Sequence, residues 1–161
     1  YTKHKKIKRE KIWGLPIGKK YEESNVYKDS ALYNKIKILS EKYDFILTGS
    51  AALRIFGVLN RKPKEDDIDI IATKETVEKI SEDLSEYVYT TYGSIEQPDL
   101  NLEKSFKFSG AVIDVFLNED TNYIEIDGIK VSDPFDIMFS KIKMSRHKDI
   151  KDIKYFLNYI N

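Results

Sequence analysis

The sequence predicts an α+β domain, a small mixed β-sheet with helices packed against it. Three observations carry the prediction. Short apolar runs closed by turn residues alternate with longer stretches of helical periodicity. Two dipeptides ending in glycine, Ser109-Gly110 and Asp127-Gly128, each separate segments of strand character, as a β-hairpin requires. And 161 residues at 41% hydrophobic and 34% charged suffice for one domain with a proper core.

Taken in order, residues 1–28 read as a basic N-terminal arm ahead of a domain at 29–161. The first twenty residues hold eight Lys or Arg against Glu10 alone; the chain is neutral overall, so the remainder carries the matching acidic excess. Such an arm either contacts nucleic acid or polyphosphate, or lies as a strip on the acidic body. Residues 13–18 read as an ordered turn with Trp13 packed on the body. Asp29 or Ser30 caps a helix to about Lys42, with Leu32, Ile36 and Leu39 on one face. A strand at 45–48 and a helix at 51–57, N-capped by Ser50, precede a charged loop broken by Pro63. A strand at 67–72 follows, then a helix from Lys74 to about Tyr87, capped by Thr73, with Val77, Ile80 and Leu84 inward. The Tyr- and Thr-rich stretch 87–95 reads as strand. The hairpins pair 104–108 with 111–117 and 123–126 with 129–131. Asp133 caps a helix that starts on Pro134 and runs to about Met144, and a last helix covers 148–158.

One strand carries acids where a strand normally carries none. Side chains alternate along a strand, so Asp67 and Asp69 share one face while Ile68 and Ile70 share the other. Asp66 offers a competing register, 66/68, but the alternation with isoleucine favours 67/69. Two carboxylates this close repel unless a positive charge sits between them, and hard oxygen ligands suit Mg²⁺. Upstream, Gly49-Ser50 opens a helix, whose N-terminus points free N–H groups at an anion such as phosphate. A third acid, Asp114, interrupts the apolar run Val112 to Phe116. If its strand neighbours that of Asp67 and Asp69, three carboxylates suffice for a paired-metal site of the kind used in phosphoryl or nucleotidyl transfer.

Composition excludes other chemistries. With no cysteine there is no disulfide, thiolate metal site or cysteine nucleophile, and two histidines argue against a histidine-rich metal centre. No apolar run approaches the ~20 residues of a membrane helix. No apolar segment follows the basic first residues, so no secretory signal is expected and a cytoplasmic location is the default.

Gly49-Ser50, a helix, Asp67-x-Asp69 with Asp69 twenty residues past Gly49, and a lone Asp114 on a later strand resemble the nucleotidyltransferase superfamily of DNA polymerase β. The small single-domain members, of the AbiEii toxin type, look most similar. The C-terminal segment with Lys141, Arg146, Lys148-Asp149 and Asp152 is similar to their Lys…Arg-x-Lys-Asp-x-x-Asp ending. The resemblance covers roughly residues 30–157 and leaves the arm outside. Lys64, Glu65 and Asp66 depart from it, standing where the family often has Ser or Thr.

The resemblance implies a metal-dependent transfer of a nucleoside monophosphate from an NTP to an acceptor hydroxyl. Asp67, Asp69 and Asp114 would bind Mg²⁺ or Mn²⁺, with Asp114 helping to deprotonate the acceptor. Gly49 and Ser50 would hold the β and γ phosphates, Arg54 would reach phosphate or pair with Asp66, and Lys141 would meet the triphosphate from the far side. Lys143 competes with Lys141 for that role. Arg146, Asp149 and Asp152 read as an ion network tying down the last helix, and His147 as a surface or capping residue rather than a base. Tyr89 and Tyr92 are candidates to stack on a base. A tRNA or other RNA 3′ end is the favoured acceptor, reached through the arm, with protein or a small molecule as alternatives. Two rivals stand beside the enzyme: a scaffold retained for binding, as an antitoxin or assembly module, and a phosphotransferase using the same site.

Overall fold

Two hairpin turns set the frame of the sheet. Each places two successive residues at positive φ, Ser109 (47°) with Gly110 (83°) and Asp127 (52°) with Gly128 (77°). This is the type I′ arrangement, whose twist matches that of the strands it joins. The structure, a computed structural model, describes residues 4–7, 11–12, 15–16, 31–56, 67–88, 102–145 and 147–160. Its elements in chain order begin with β1 (Lys5–Lys6), β2 (Lys11–Ile12), β3 (Leu15–Pro16), α1 (Ala31–Lys42), β4 (Ile46–Thr48), α2 (Gly49–Phe56) and β5 (Asp67–Ala72). They continue with α3 (Lys74–Asp83), β6 (Leu102–Phe108), β7 (Ala111–Leu117), β8 (Asn122–Ile126), β9 (Ile129–Ser132), α4 (Pro134–Met144) and α5 (His147–Ile160).

Seven strands form one mixed sheet in the order β1-β8-β9-β4-β5-β7-β6, and β2 pairs with β3 apart from it. The α+β architecture is as the sequence predicts. Both hairpins pair where the turns require, Phe108 with Ala111 and Ile126 with Ile129. Between them β5 lies antiparallel to β4 and parallel to β7, so the acid-bearing strand is central. Along β5 the buried residues are Ile68, Ile70 and Ala72, alternating with half-buried Asp67, Asp69 and Ile71. The buried set joins Ile113 and Val115 of β7 in one core with Leu32, Ile36 and Leu39 of α1 and Val77 and Ile80 of α3. Burying each such side chain contributes about 1.5–3 kcal/mol, which pins the strand register and with it the acidic face.

Three sequence expectations need correction. The helix after β4 starts at Gly49, two residues early, so Ser50 lies within its first turn and is not its N-cap. Gly49 at φ +72° makes the bend from strand to helix by itself. The helix capped by Thr73 ends at Asp83 rather than near Tyr87. Sheet pairing captures the chain there: Ser85 O accepts from Lys107 N at 3.0 Å and Tyr87 N donates to Ser105 O at 2.7 Å. The last helix begins at His147 and runs to Ile160, longer at both ends than expected. At α4, by contrast, Asp133 accepts from Phe135 N at 3.1 Å with Pro134 in the first turn, as read from the sequence.

The start of the basic arm lies on the body. Lys5 N donates to Thr121 O at 3.0 Å and Ile7 N to Tyr123 O at 2.8 Å, making β1 an edge strand parallel to β8. Lys6 pairs with Glu125 at 3.0 Å, and His4 Nε2 donates to Asn118 O at 2.6 Å. Trp13, the helix cap at 29–30, the loop at 61–65 with Asp66, residues 89–100 with Tyr89 and Tyr92, and Arg146 lie outside the described residues.

Candidate active site

Strand pairing assembles the acids. In the parallel ladder of β5 and β7, Asp69 stands opposite Asp114 and Asp67 opposite Val112. Neighbours in a ladder lie about 4.8 Å apart on the same face of the sheet. All three aspartates are half-buried, on the face opposite the Ile68 and Ile70 side chains. The 67/69 register is therefore the one used, and the third acid is its immediate neighbour.

The row through Asp69 is polar across five strands. Thr48 of β4 pairs with Asp69, and Ser105 of β6 pairs with Asp114. Leu47 pairs with Val131 in the parallel ladder of β4 and β9, so one step on Ser132 stands beside Thr48. Ser105 and Ser132 are both buried; Ser105 Oγ donates to Asp114 Oδ1 at 2.7 Å, whereas Ser132 Oγ has no hydrogen-bond partner. Next to this row Lys107 pairs with Val112, and its Nζ sits 4.9 Å from the ring centre of Tyr87. None of Thr48, Ser105, Lys107, Tyr87 and Ser132 was singled out from the sequence as a site residue. Ser105 was within reach, because counting back from the Ser109-Gly110 turn places it opposite Asp114.

Gly49 brings the helix N-terminus to the acids. A Cβ built at Gly49 would overlap the Asp69 carboxylate, with Oδ2 the nearest atom. The space a side chain would fill is thus occupied by the acid, and Ser50 follows in the first turn of α2. Arg54, on the same helix, is half-buried.

Lys141 reaches the same turn from α4, which packs against both α2 and α5. It is buried, with Nζ 2.7 Å from Asp152 Oδ2, 3.5 Å from Asp149 Oδ1 and 3.4 Å from Ser50 Oγ. Asp149 and Asp152 are the most buried charges among the described residues, at 0% and 1% exposure. Burying an ion costs several kcal/mol unless it is paired and hydrogen-bonded, so this cluster holds α4, α5 and the Gly49-Ser50 bend in one geometry. Asp149 and Asp152 of the expected network are paired with Lys141, while its Arg146 lies outside the described residues. Lys143 is exposed, and so is His147 at the start of α5.

Does this donor set fit a divalent cation? The ligands available are carboxylate and hydroxyl oxygens, the hard donors that Mg²⁺ and Mn²⁺ take, and Gly49 leaves room for the Asp69 carboxylate beside the helix N-terminus. The backbone sets Asp69 beside Asp114, with Asp67 two residues along the same strand. Among the described residues, however, no three acidic or histidine side chains are already gathered closely enough to cage a metal. The fit is thus one of donor chemistry and strand placement.

Comparison with known proteins gives one match. The model of the family described as "Nucleotidyltransferase of unknown function (DUF6036)" matches residues 29–157. That span takes in the Gly49-Ser50 bend, all three aspartates and the Lys141 cluster, and leaves the basic arm outside. No curated protein and no solved structure matches the chain. On a match over most of its length, the chain belongs to the DUF6036 family of nucleotidyltransferases.

Proposed function

We propose that this protein is a metal-dependent enzyme that moves a nucleoside monophosphate from an NTP to an acceptor hydroxyl, with an RNA 3′ end, tRNA foremost, as the acceptor. One observation carries the reading: Asp69 and Asp114 are ladder partners, and Gly49 sets the helix N-terminus against the Asp69 carboxylate. An acid pair beside an anion-binding turn suits a substrate that is itself a polyanion needing a cation.

In this mechanism the backbone N–H groups at Gly49 and Ser50 hold the β and γ phosphates, and Arg54 adds a cation one turn on. Lys141 is already engaged by two carboxylates, so its service to the phosphates runs through Ser50. Asp67, Asp69 and Asp114 would hold Mg²⁺ or Mn²⁺, which supplies charge neutralisation for the triphosphate and its leaving group. Asp114 takes the acceptor proton as the hydroxyl oxygen attacks the α-phosphorus. The bond from that phosphorus to the β-bridging oxygen breaks, and pyrophosphate departs with the electron pair. The AbiEii-type toxins are the subgroup that the C-terminal pattern favours, and the basic arm supplies the contact to RNA.

A catalytically silent scaffold, retained for binding, is the rival. Calorimetry with Mg²⁺ and non-hydrolysable NTP analogues separates the two. The enzyme should bind an analogue only with metal present, and Asp67→Asn should abolish that binding. Binding that ignores both metal and Asp67, or no binding at all, would leave the scaffold standing.

A further inference from the structure

We infer that Ser105 is a positioning residue for the cation-binding face: its hydroxyl fixes the orientation in which Asp114 meets a divalent metal. The inference rests on the reading of Asp114 as a metal ligand. Ser105 lies on β6, opposite Asp114 in the antiparallel ladder, and its Oγ donates to Asp114 Oδ1 at 2.7 Å. Ser105 itself is buried at 3% exposure while Asp114 is half-buried, so the hydroxyl meets the carboxylate from its protein side. A short bond from a buried donor sets the carboxylate plane, and a fixed plane meets the cation in one orientation instead of several.

Three local features hold Ser105 in that place. The Ser109-Gly110 turn fixes the register by pairing Phe108 with Ala111, and the ladder runs unbroken from there to Ser105 and Asp114. The one irregularity of β6, between Leu102 and Lys104, falls on the far side of Ser105 from the turn, so it does not disturb the pair. On its outer side the Ser105 carbonyl accepts from Tyr87 N at 2.7 Å, which closes the edge of the sheet over it. A serine serving only as filler on this face would not need its hydroxyl aimed at the one acid on the neighbouring strand. Hydrogen bonds that orient a metal-binding carboxylate typically carry about 10- to 100-fold in metal affinity or activity.

The test compares wild type, Ser105→Ala and Ser105→Thr in the full chain. Mn²⁺ alone is titrated and followed by the electron paramagnetic resonance signal of the free ion, with thermal unfolding recorded for each protein. Ser105→Ala should unfold near the wild-type temperature and bind Mn²⁺ about 10-fold more weakly or worse. Ser105→Thr, which keeps the hydroxyl and suits a strand, should bind as wild type does. In the transfer assay Ser105→Ala should lower kcat with little change in the KM for NTP, because α2 and not β6 holds the phosphates. Equal Mn²⁺ affinity for wild type and Ser105→Ala overturns the inference, as does a wild type that binds no Mn²⁺. A wild type that binds Mn²⁺ yet transfers no nucleotide defeats the transferase reading instead, and the Mn²⁺ comparison still judges Ser105.

Discussion

At Gly49 it is the missing side chain that the site uses. Its φ of +72° and the Asp69 carboxylate standing where a Cβ would go make two separate demands. Gly110 shares only the first, since its φ is +83° but nothing lies within 4 Å of its Cβ position. Gly110→Ala should therefore cost only the left-handed conformation, about 1–2 kcal/mol. Gly49→Ala should cost more than that and also weaken Mn²⁺ binding; urea unfolding and metal titration of both variants measure the difference, and equal costs would refute the contact. Lys141 gives a second residue-scale prediction. Lys141→Met leaves Asp149 and Asp152 buried without their cation, and should cost about 3–5 kcal/mol in the same unfolding assay. A loss under about 1 kcal/mol, the range of surface pairs, would mean the cluster is solvated in solution. The three acids were legible in the sequence because a charge in an apolar strand violates its pattern. The partners of Lys141 were not: Asp149 and Asp152 sit on another helix, and only the packing of α4 on α5 shows which cation they meet.

Turns and caps made most elements readable. Positive φ at Ser109-Gly110 and Asp127-Gly128, and the Asp133-Pro134 start of α4, depend on neighbours in sequence alone, and the structure keeps all three. The end of α3 was not readable, because residues past Asp83 keep helical periodicity while the edge of the sheet offers them a strand partner. Tertiary pairing outweighs local preference there. The ends of α1 and α3 are tied by Tyr43, whose hydroxyl donates to Asp83 Oδ2 at 2.7 Å. Burial foremost, then that hydrogen bond and the carboxylate charge, push the Tyr43 phenol from 10.0 up to about 12. A raised pKa means the folded state keeps the proton longer, so the stabilisation is complete below pH 10 and is lost as pH rises from 10 through about 12. An ultraviolet titration of the folded protein should show an ionisation near pH 12 that Tyr43→Phe lacks. Identical titrations for the two proteins would contradict the assignment.

Across the whole molecule, one sheet joins the acids at its centre to the basic arm at its edge. The order β1-β8-β9-β4-β5-β7-β6 could not be read from sequence, because nothing local dictates that β5 inserts between β4 and β7. Docking of the arm on the acidic body was one of its two readings from sequence, and β1 shows it for Lys5 and Lys6, which both stay exposed while Lys6 pairs with Glu125. If the arm contacts RNA, replacing Lys3, Lys5, Lys8 and Arg9 with Gln should weaken RNA binding and flatten its salt dependence, each lost phosphate contact lowering the slope by about 0.7–0.9. An unchanged slope would assign those charges to solvent. Whether ladder-paired acids beside a glycine-serine bend transfer nucleotides is measured by isotope transfer. Each of the four NTPs, labelled on the α-phosphate, is incubated with Mg²⁺ or Mn²⁺ and total tRNA. Label should appear on RNA with wild type and not with Asp69→Asn or Asp114→Asn. Label that arrives equally with those variants, or that moves only from the γ-phosphate, would contradict the nucleotidyltransferase reading.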